Sequence, residues 1–190
     1  VKTITDPLGN ATSFEYDDKG NLLSSTDQNG NTTSFQYNEF GLLTEITDPL
    51  AASTTFAYDS FGNQISTTDA LGNTNLSRYD AISRLIESID VLGAVSRSEY
   101  DKLNRIIATT DARGSATTMD YDAIGNLLSL TDARNNTTTF SYDNLSRTKT
   151  RTDSNGKTEV SDYDLNGNLI EFTDRRGQIS NFSYDELNRL

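Results

Sequence analysis

The groups available for chemistry in this chain are carboxylates, phenols and hydroxyls, because histidine and cysteine are both absent. That removes the commonest general base, the thiol nucleophile and the usual transition-metal ligands. Aspartates recur at Asp6, Asp27, Asp48, Asp69, Asp90, Asp111, Asp132, Asp153 and Asp174, each 21 residues from the next. Carboxylates stacked at strand spacing would suit a hard cation such as calcium. The same residue at a turn accepts backbone N–H bonds instead, and the turn role is the reading adopted, with no metal site expected. The paired-glycine nonapeptide of calcium-binding β-rolls is missing.

The phenols keep the same period. Tyr16, Tyr37, Tyr58, Tyr79, Tyr100, Tyr121, Tyr142, Tyr163 and Tyr184 are the only tyrosines in the chain. A row of phenol rings would offer a stacking surface for sugars or peptides, but its unbroken phase favours packing. Carboxylate pairs of the glycosidase kind arise by chance among 28 acids, and no repeat carries a distinctive extra one. Serine lacks a base partner, and no glycine-rich phosphate loop runs from a strand into a helix. No catalytic residue and no cofactor is expected.

Two residue types locked to one 21-residue period define a short unit copied nine times without insertion or deletion. Val1 and Leu190 occupy the same phase, so residues 1–190 are expected to be a single array, a slice of a longer repeat region. In the unit that begins at Tyr16, Asp18-Lys19-Gly20-Asn21 reads as a turn, Leu22–Thr26 as a strand, Asp27–Asn31 as a second turn and Thr32–Gln36 as a second strand leading to Tyr37. Thr-, Tyr-, Phe- and Leu-rich runs between Gly/Asn/Asp clusters predict antiparallel β-structure and almost no helix. Phe14 with Tyr16, Phe35 with Tyr37, Phe56 with Tyr58, Phe140 with Tyr142 and Phe182 with Tyr184 are each two apart and share a sheet face. On the other strand an aliphatic follows the turn, as in Leu22, Leu43, Leu85, Ile106, Leu127 and Leu169.

The turn after each tyrosine has two forms. Gly20, Gly41, Gly62, Gly125 and Gly167 sit four residues past it, where a left-handed backbone is required. Ser83, Asn104, Ser146 and Asn188 fill the same slot elsewhere. Asn follows the glycines, except at Leu42, and Arg follows the others (Arg84, Arg105, Arg147, Arg189). The Ser and Asn copies are therefore expected to use a different turn or to lean on an arginine contact. About 17 strands at ~4.8 Å each would make a ribbon too wide to stay flat, so a curved or spiralling sheet with a concave face is expected.

Apolar residues make up 34% of the chain and the net charge is −12. Thin β-layers fit that balance better than a thick core, and the strict register argues against disorder. With 28 acids against 16 bases and no basic cluster larger than Arg175-Arg176, nucleic acid and anionic membrane surfaces are disfavoured as partners. No apolar run is long enough to insert in a membrane as a helix.

The stretch Tyr121-Asp122-Ala123-Ile124-Gly125-Asn126-Leu127-Leu128 followed by Thr131-Asp132 resembles the YD repeat of the Rhs family. Tyr79–Leu85 and Tyr184–Leu190 resemble it too, and Asp6-Pro7-Leu8-Gly9 matches the family's Thr-Asp-Pro-x-Gly turn. Asp48-Pro49-Leu50 matches that turn without the glycine. The family includes bacterial polymorphic toxins, the cocoon component of insecticidal toxin complexes and the teneurins. The resemblance implies an all-β spiralling ribbon of hairpins forming a shell wall, in a secreted or cell-surface protein. It implies as partners the neighbouring repeats, and an enclosed effector domain or a surface receptor or glycan. Proline is scarce here, and the family's self-cleaving C-terminal motif does not occur in these residues.

Three local expectations remain. The copy at 142–162 is the weakest, with Thr148, Lys149 and Arg151 in place of apolar residues and Ser161 in place of Phe, which marks a soft point or a local binding patch. Asn10-Ala11-Thr12 and Asn31-Thr32-Thr33 are glycosylation triplets, meaningful only in a glycosylating source. Open strand edges at the two ends invite end-to-end self-association.

Overall fold

The computed structural model describes residues 1–190. It is all-β, with 18 antiparallel strands and no helix. The even-numbered strands are β2 (Ala11–Tyr16), β4 (Thr32–Tyr37), β6 (Ser53–Tyr58), β8 (Thr74–Tyr79), β10 (Val95–Tyr100), β12 (Ala116–Tyr121), β14 (Thr137–Tyr142) and β16 (Thr158–Tyr163), each ending on a tyrosine. The odd-numbered strands are β1 (Lys2–Thr5), β3 (Leu22–Thr26), β5 (Leu43–Thr47), β7 (Gln64–Thr68), β9 (Leu85–Ile89), β11 (Ile106–Thr110), β13 (Leu127–Thr131), β15 (Thr148–Thr152) and β17 (Leu169–Thr173), and β18 (Ile179–Asn181) comes last. Two compact units divide the chain, Val1–Ser96 and Arg97–Leu190. In the first, β1 to β9 pair in sequence order. In the second, β10 to β18 do the same.

Both turns of the repeat share one backbone. In the turn after Thr26, the Gly30 amide donates to the Asp27 carbonyl at 3.0 Å and the Asp27 amide to the Asn31 carbonyl at 2.9 Å. After Tyr16, the Gly20 amide donates to Asp17 and the Asp17 amide to Asn21 in the same way. The turn thus begins at the aspartate itself, one residue earlier than Asp18. Its fourth residue has positive φ, whether it is glycine or one of Ala51, Ser83, Asn104, Asn135, Ser146 and Asn188, all between 57° and 65°. The Ser and Asn copies do not change turn type.

Identical turns on an odd period create a parity problem. Side chains alternate across a strand, so pairing through two identical turns would send Tyr16 and Tyr37 to opposite faces. The structure solves this with one β-bulge per repeat. Tyr16 lies opposite Leu22 but Glu15 lies opposite Ser24, leaving Leu23 unpaired. The shift recurs between Gln36 and Tyr37, Ala57 and Tyr58, Asp120 and Tyr121, and Ser141 and Tyr142. A bulge inserts one residue and reverses the alternation beyond it. Within each unit the tyrosines therefore return to the same face.

No side chain is buried. Apolar residues share a half-covered face as cross-strand neighbours, with Phe35 opposite Ile46 and Met119 opposite Leu130. Such pairs are each worth roughly 0.2–1 kcal/mol, so cohesion is spread along the ribbon. The other face carries polar pairs, including Gln36 to Glu45 at 2.7 Å, Arg78 to Glu87 at 2.9 Å and Ser129 to Asp120 at 2.8 Å.

Candidate functional site

The residues singled out by period assemble along the edges of the ribbon. At each turn the aspartate carboxylate closes its own loop. Asp132 Oδ1 accepts the amides of Arg134 and Asn136 at 2.8 and 2.9 Å, and its Oδ2 accepts the Asn136 side-chain amide at 3.0 Å. Asp6, Asp27 and Asp69 hold the same three bonds. Asp48, Asp90, Asp111, Asp153 and Asp174 each accept the two backbone amides. The carboxylates face their own turns, and no cluster of three or more His, Cys, Asp or Glu forms a metal-ligand set.

These bonds favour the ionised carboxylate. The Asn136 side-chain amide, then its backbone N–H, holds Asp132 below its ordinary value. The Arg105 and Arg84 backbone amides do the same for Asp101 and Asp80, helped by the guanidinium of each. At Asp122 desolvation pushes upward, and the Asn126 bonds outweigh it.

The tyrosines reach across strands. Between β13 and β14 the paired residues end at Ser129 opposite Thr139. Beyond that point the Tyr142 hydroxyl donates to the Leu127 carbonyl at 2.9 Å. Tyr58 reaches Leu43 at 2.7 Å, Tyr79 reaches Gln64 at 3.0 Å and Tyr163 reaches Thr148 at 3.1 Å. Each acceptor is 15 residues upstream, at the start of the bulged strand. The phenol therefore extends the backbone ladder where the bulge ends it, which also supplies the partner a half-buried phenol needs. Tyr121 turns instead toward the Met119 sulfur at 3.8 Å.

This geometry sets a test. Tyr142→Phe keeps the ring and removes one bond, so it should cost about 1 kcal/mol. Hydrogen exchange should quicken in 127–142 while far repeats stay unchanged; uniform quickening along the chain would contradict a local stitch.

In the turns that follow a tyrosine, arginine replaces asparagine where glycine is lost. Arg147 Nε donates to Asp143 Oδ2 at 2.6 Å, and its Nη1 to the Asp164 carbonyl of the next turn at 3.1 Å. Its guanidinium lies 4.6 Å from the Tyr163 ring centre. Arg105 makes the same set with Asp101, the Asp122 carbonyl and Tyr121. A non-glycine residue at positive φ costs about 1–2 kcal/mol. At Arg105 and Arg147 the guanidinium bridges its own aspartate and the next turn, which offsets that cost in the Asn104 and Ser146 copies. Across the opposite turns, Thr26 bonds Thr32 and Thr131 bonds Thr137, each hydroxyl pair at 2.8 Å.

In the copy at 142–162 the two charged substitutions, Lys149 and Arg151, are ion-paired. Glu159 meets Arg151 at 3.3 Å and Arg175 at 2.8 Å, and Lys149 meets Asp162 at 3.4 Å. Asn10 and Asn31, the sequon asparagines, spend their side-chain amides on Asp6 and Asp27.

An all-β array of one repeated hairpin unit, its strands paired in sequence order within each compact unit, is a tandem-repeat structural module. The chain belongs to the RHS repeat family, whose model, described as RHS Repeat, matches residues 16–53, 37–74, 79–116, 121–158 and 163–190. No curated protein matches it. Among solved structures it resembles a chain of TcdB2-TccC3-Cdc42 at 15% identity and TM-score 0.55, covering 98% of this chain and 13% of that one. It resembles a chain of the Photorhabdus luminescens Tc holotoxin pore at 15% identity and TM-score 0.58, covering 86% and 12%. TcdB2-TccC3 without its hypervariable C-terminal region gives 17% and 0.52, covering 86% and 11%. These likenesses show a shared fold, and the chain spans only 11–13% of the length of those proteins.

Proposed function

We propose that the chain is a non-enzymatic wall segment of a larger RHS-repeat protein whose β-shell encloses a toxin or effector domain and helps deliver it. The observation that carries this reading is the stitching of consecutive repeats. Within each compact unit backbone ladders join them, and tyrosine hydroxyls and arginine bridges reinforce the ladders at several repeats, so repeats can be added without changing the unit. A sheet of this kind confines by steric exclusion, its carbonyls and amides spent on its own strands. The fold shared with toxin-complex proteins supports the same role. The partners would be the neighbouring repeats and an enclosed effector, in a secreted protein.

A second reading is a surface adhesion module binding proteins or glycans. It draws on the exposed apolar residues at the turns, such as Leu50 and Phe40. Electron microscopy of the full-length parent separates the two. A closed hollow particle with internal density supports enclosure; an extended rod or filament overturns it in favour of adhesion.

A further inference from the structure

One turn breaks the capping rule, and a cleft lies beside it. At every other turn that follows a tyrosine, an aspartate opens the loop and Asn or Arg closes it. Here the pair is Asn38 and Leu42. Asn38 Oδ1 still accepts the Phe40 and Leu42 amides, both at 3.0 Å. With Leu42 in the closing position, the Asn38 side-chain NH2 has no acceptor in its own turn, and both of its N–H groups are left to donate elsewhere.

The next turn, Asp59-Ser60-Phe61-Gly62, lies alongside. Between them is a cleft of about 500 Å³ lined by Asn38, Phe40, Leu42, Phe56, Tyr58 and Phe61. Phe40 and Phe61 are the only aromatic residues in this turn position along the chain, which elsewhere holds Ile, Leu, Lys or Asn. Both are largely exposed, at 80% and 74%. The volume falls within the range of small ligand sites, roughly 300–1,000 Å³.

We infer that this cleft binds the aromatic side chain of a basic peptide segment, the ring lying between Phe40 and Phe61 and a peptide carbonyl accepting from the Asn38 side-chain amide. Two aromatic walls favour a ring, because offset or edge-on aromatic pairs gain beyond their buried area. The free donor calls for an acceptor, which the peptide carbonyl supplies. The sign of the peptide follows from its surroundings. Residues 1–96 hold 13 Asp and Glu against 4 Lys and Arg. Asp59 lines the cleft and the exposed Glu39 sits in the Asn38 turn. Against them stands the single Lys19, whose Nζ donates to the Glu39 carbonyl at 3.2 Å. Cations flanking the ring are attracted there and anions repelled. This inference is independent of whether the parent encloses a cargo.

The chain contains no tryptophan, so the fluorescence of a tryptophan probe reports binding directly. The 190-residue chain is titrated with acetyl-Lys-Trp-Lys-amide and with acetyl-Glu-Trp-Glu-amide at low salt. The Lys probe should show a saturable blue shift, and the Glu probe should bind at least tenfold more weakly. Phe61→Ser should weaken the Lys probe at least tenfold. That side chain is exposed at a turn, and an unchanged far-ultraviolet circular dichroism spectrum verifies the fold. Asn38→Asp removes the donor while restoring the usual turn aspartate, and should weaken the probe severalfold despite the added negative charge. No saturable shift at millimolar probe, equal binding of both probes, or a Phe61→Ser variant that binds normally would each overturn the proposal.

Discussion

Lowering the pH through the carboxylate range should unfasten the whole array. Fourteen turn aspartates are held below the ordinary value of 3.8, among them Asp6, Asp27, Asp69, Asp132 and Asp164. The side-chain amide of the Asn four residues on is the leading cause at Asp6 and Asp27. A depressed folded value means that the unfolded chain takes up protons first. The stabilisation is complete above the unfolded value and is lost as pH falls through the folded values, below 3.8. Each carboxylate is exposed or half-buried and contributes little alone. They recur along the whole array, however, and the pH slope adds over groups. The denaturant midpoint, followed by circular dichroism, should be flat from about pH 7 to about pH 5 and fall steeply below about pH 4. A midpoint unchanged down to about pH 2 would contradict ionised caps as the fastening.

The second large effect concerns the left-handed turn residue. Gly125 has φ +101°, and a Cβ added there would meet nothing within 4 Å, so a substitution tests only the backbone. Gly125→Val should cost about 2 kcal/mol, since a β-branched residue fits this region worst. Ala51 is the converse, a non-glycine at φ 65° with neither Asn nor Arg closing its turn. Ala51→Gly should raise the denaturant midpoint, the relief of strain exceeding the added chain entropy. Equal midpoints for wild type and Gly125→Val would show that the turn conformation is not what limits the repeat.

Much of this fold is legible in the sequence, since the strands, turns and shared Phe/Tyr face follow from the period and from the alternation at Phe35 and Tyr37. The β-bulge was legible in principle. An odd period with two five-residue turns leaves strands of six and five, as in Thr32–Tyr37 and Leu43–Thr47, and only an extra residue keeps Tyr37 and Tyr58 on one face. The destination of the phenol was not, because the Leu127 carbonyl needs a donor only once the bulge has ended the ladder at Ser129. The Arg147 bridge was half visible. Its covariation with Ser146 pointed to a contact, but the Asp164 carbonyl and Tyr163 ring become neighbours only through pairing across two strands. Likewise the amide of Asn38 gains meaning only when Phe61 is brought beside it.

Enclosure is tested most directly by protease protection in the full-length parent. The segment lying outside the repeats should resist digestion in the native particle and be cut at least a hundredfold faster when expressed alone. It should lose its protection in step with the acid transition of the repeats. Digestion at the same rate in the native particle as in isolation would contradict a wall that encloses it.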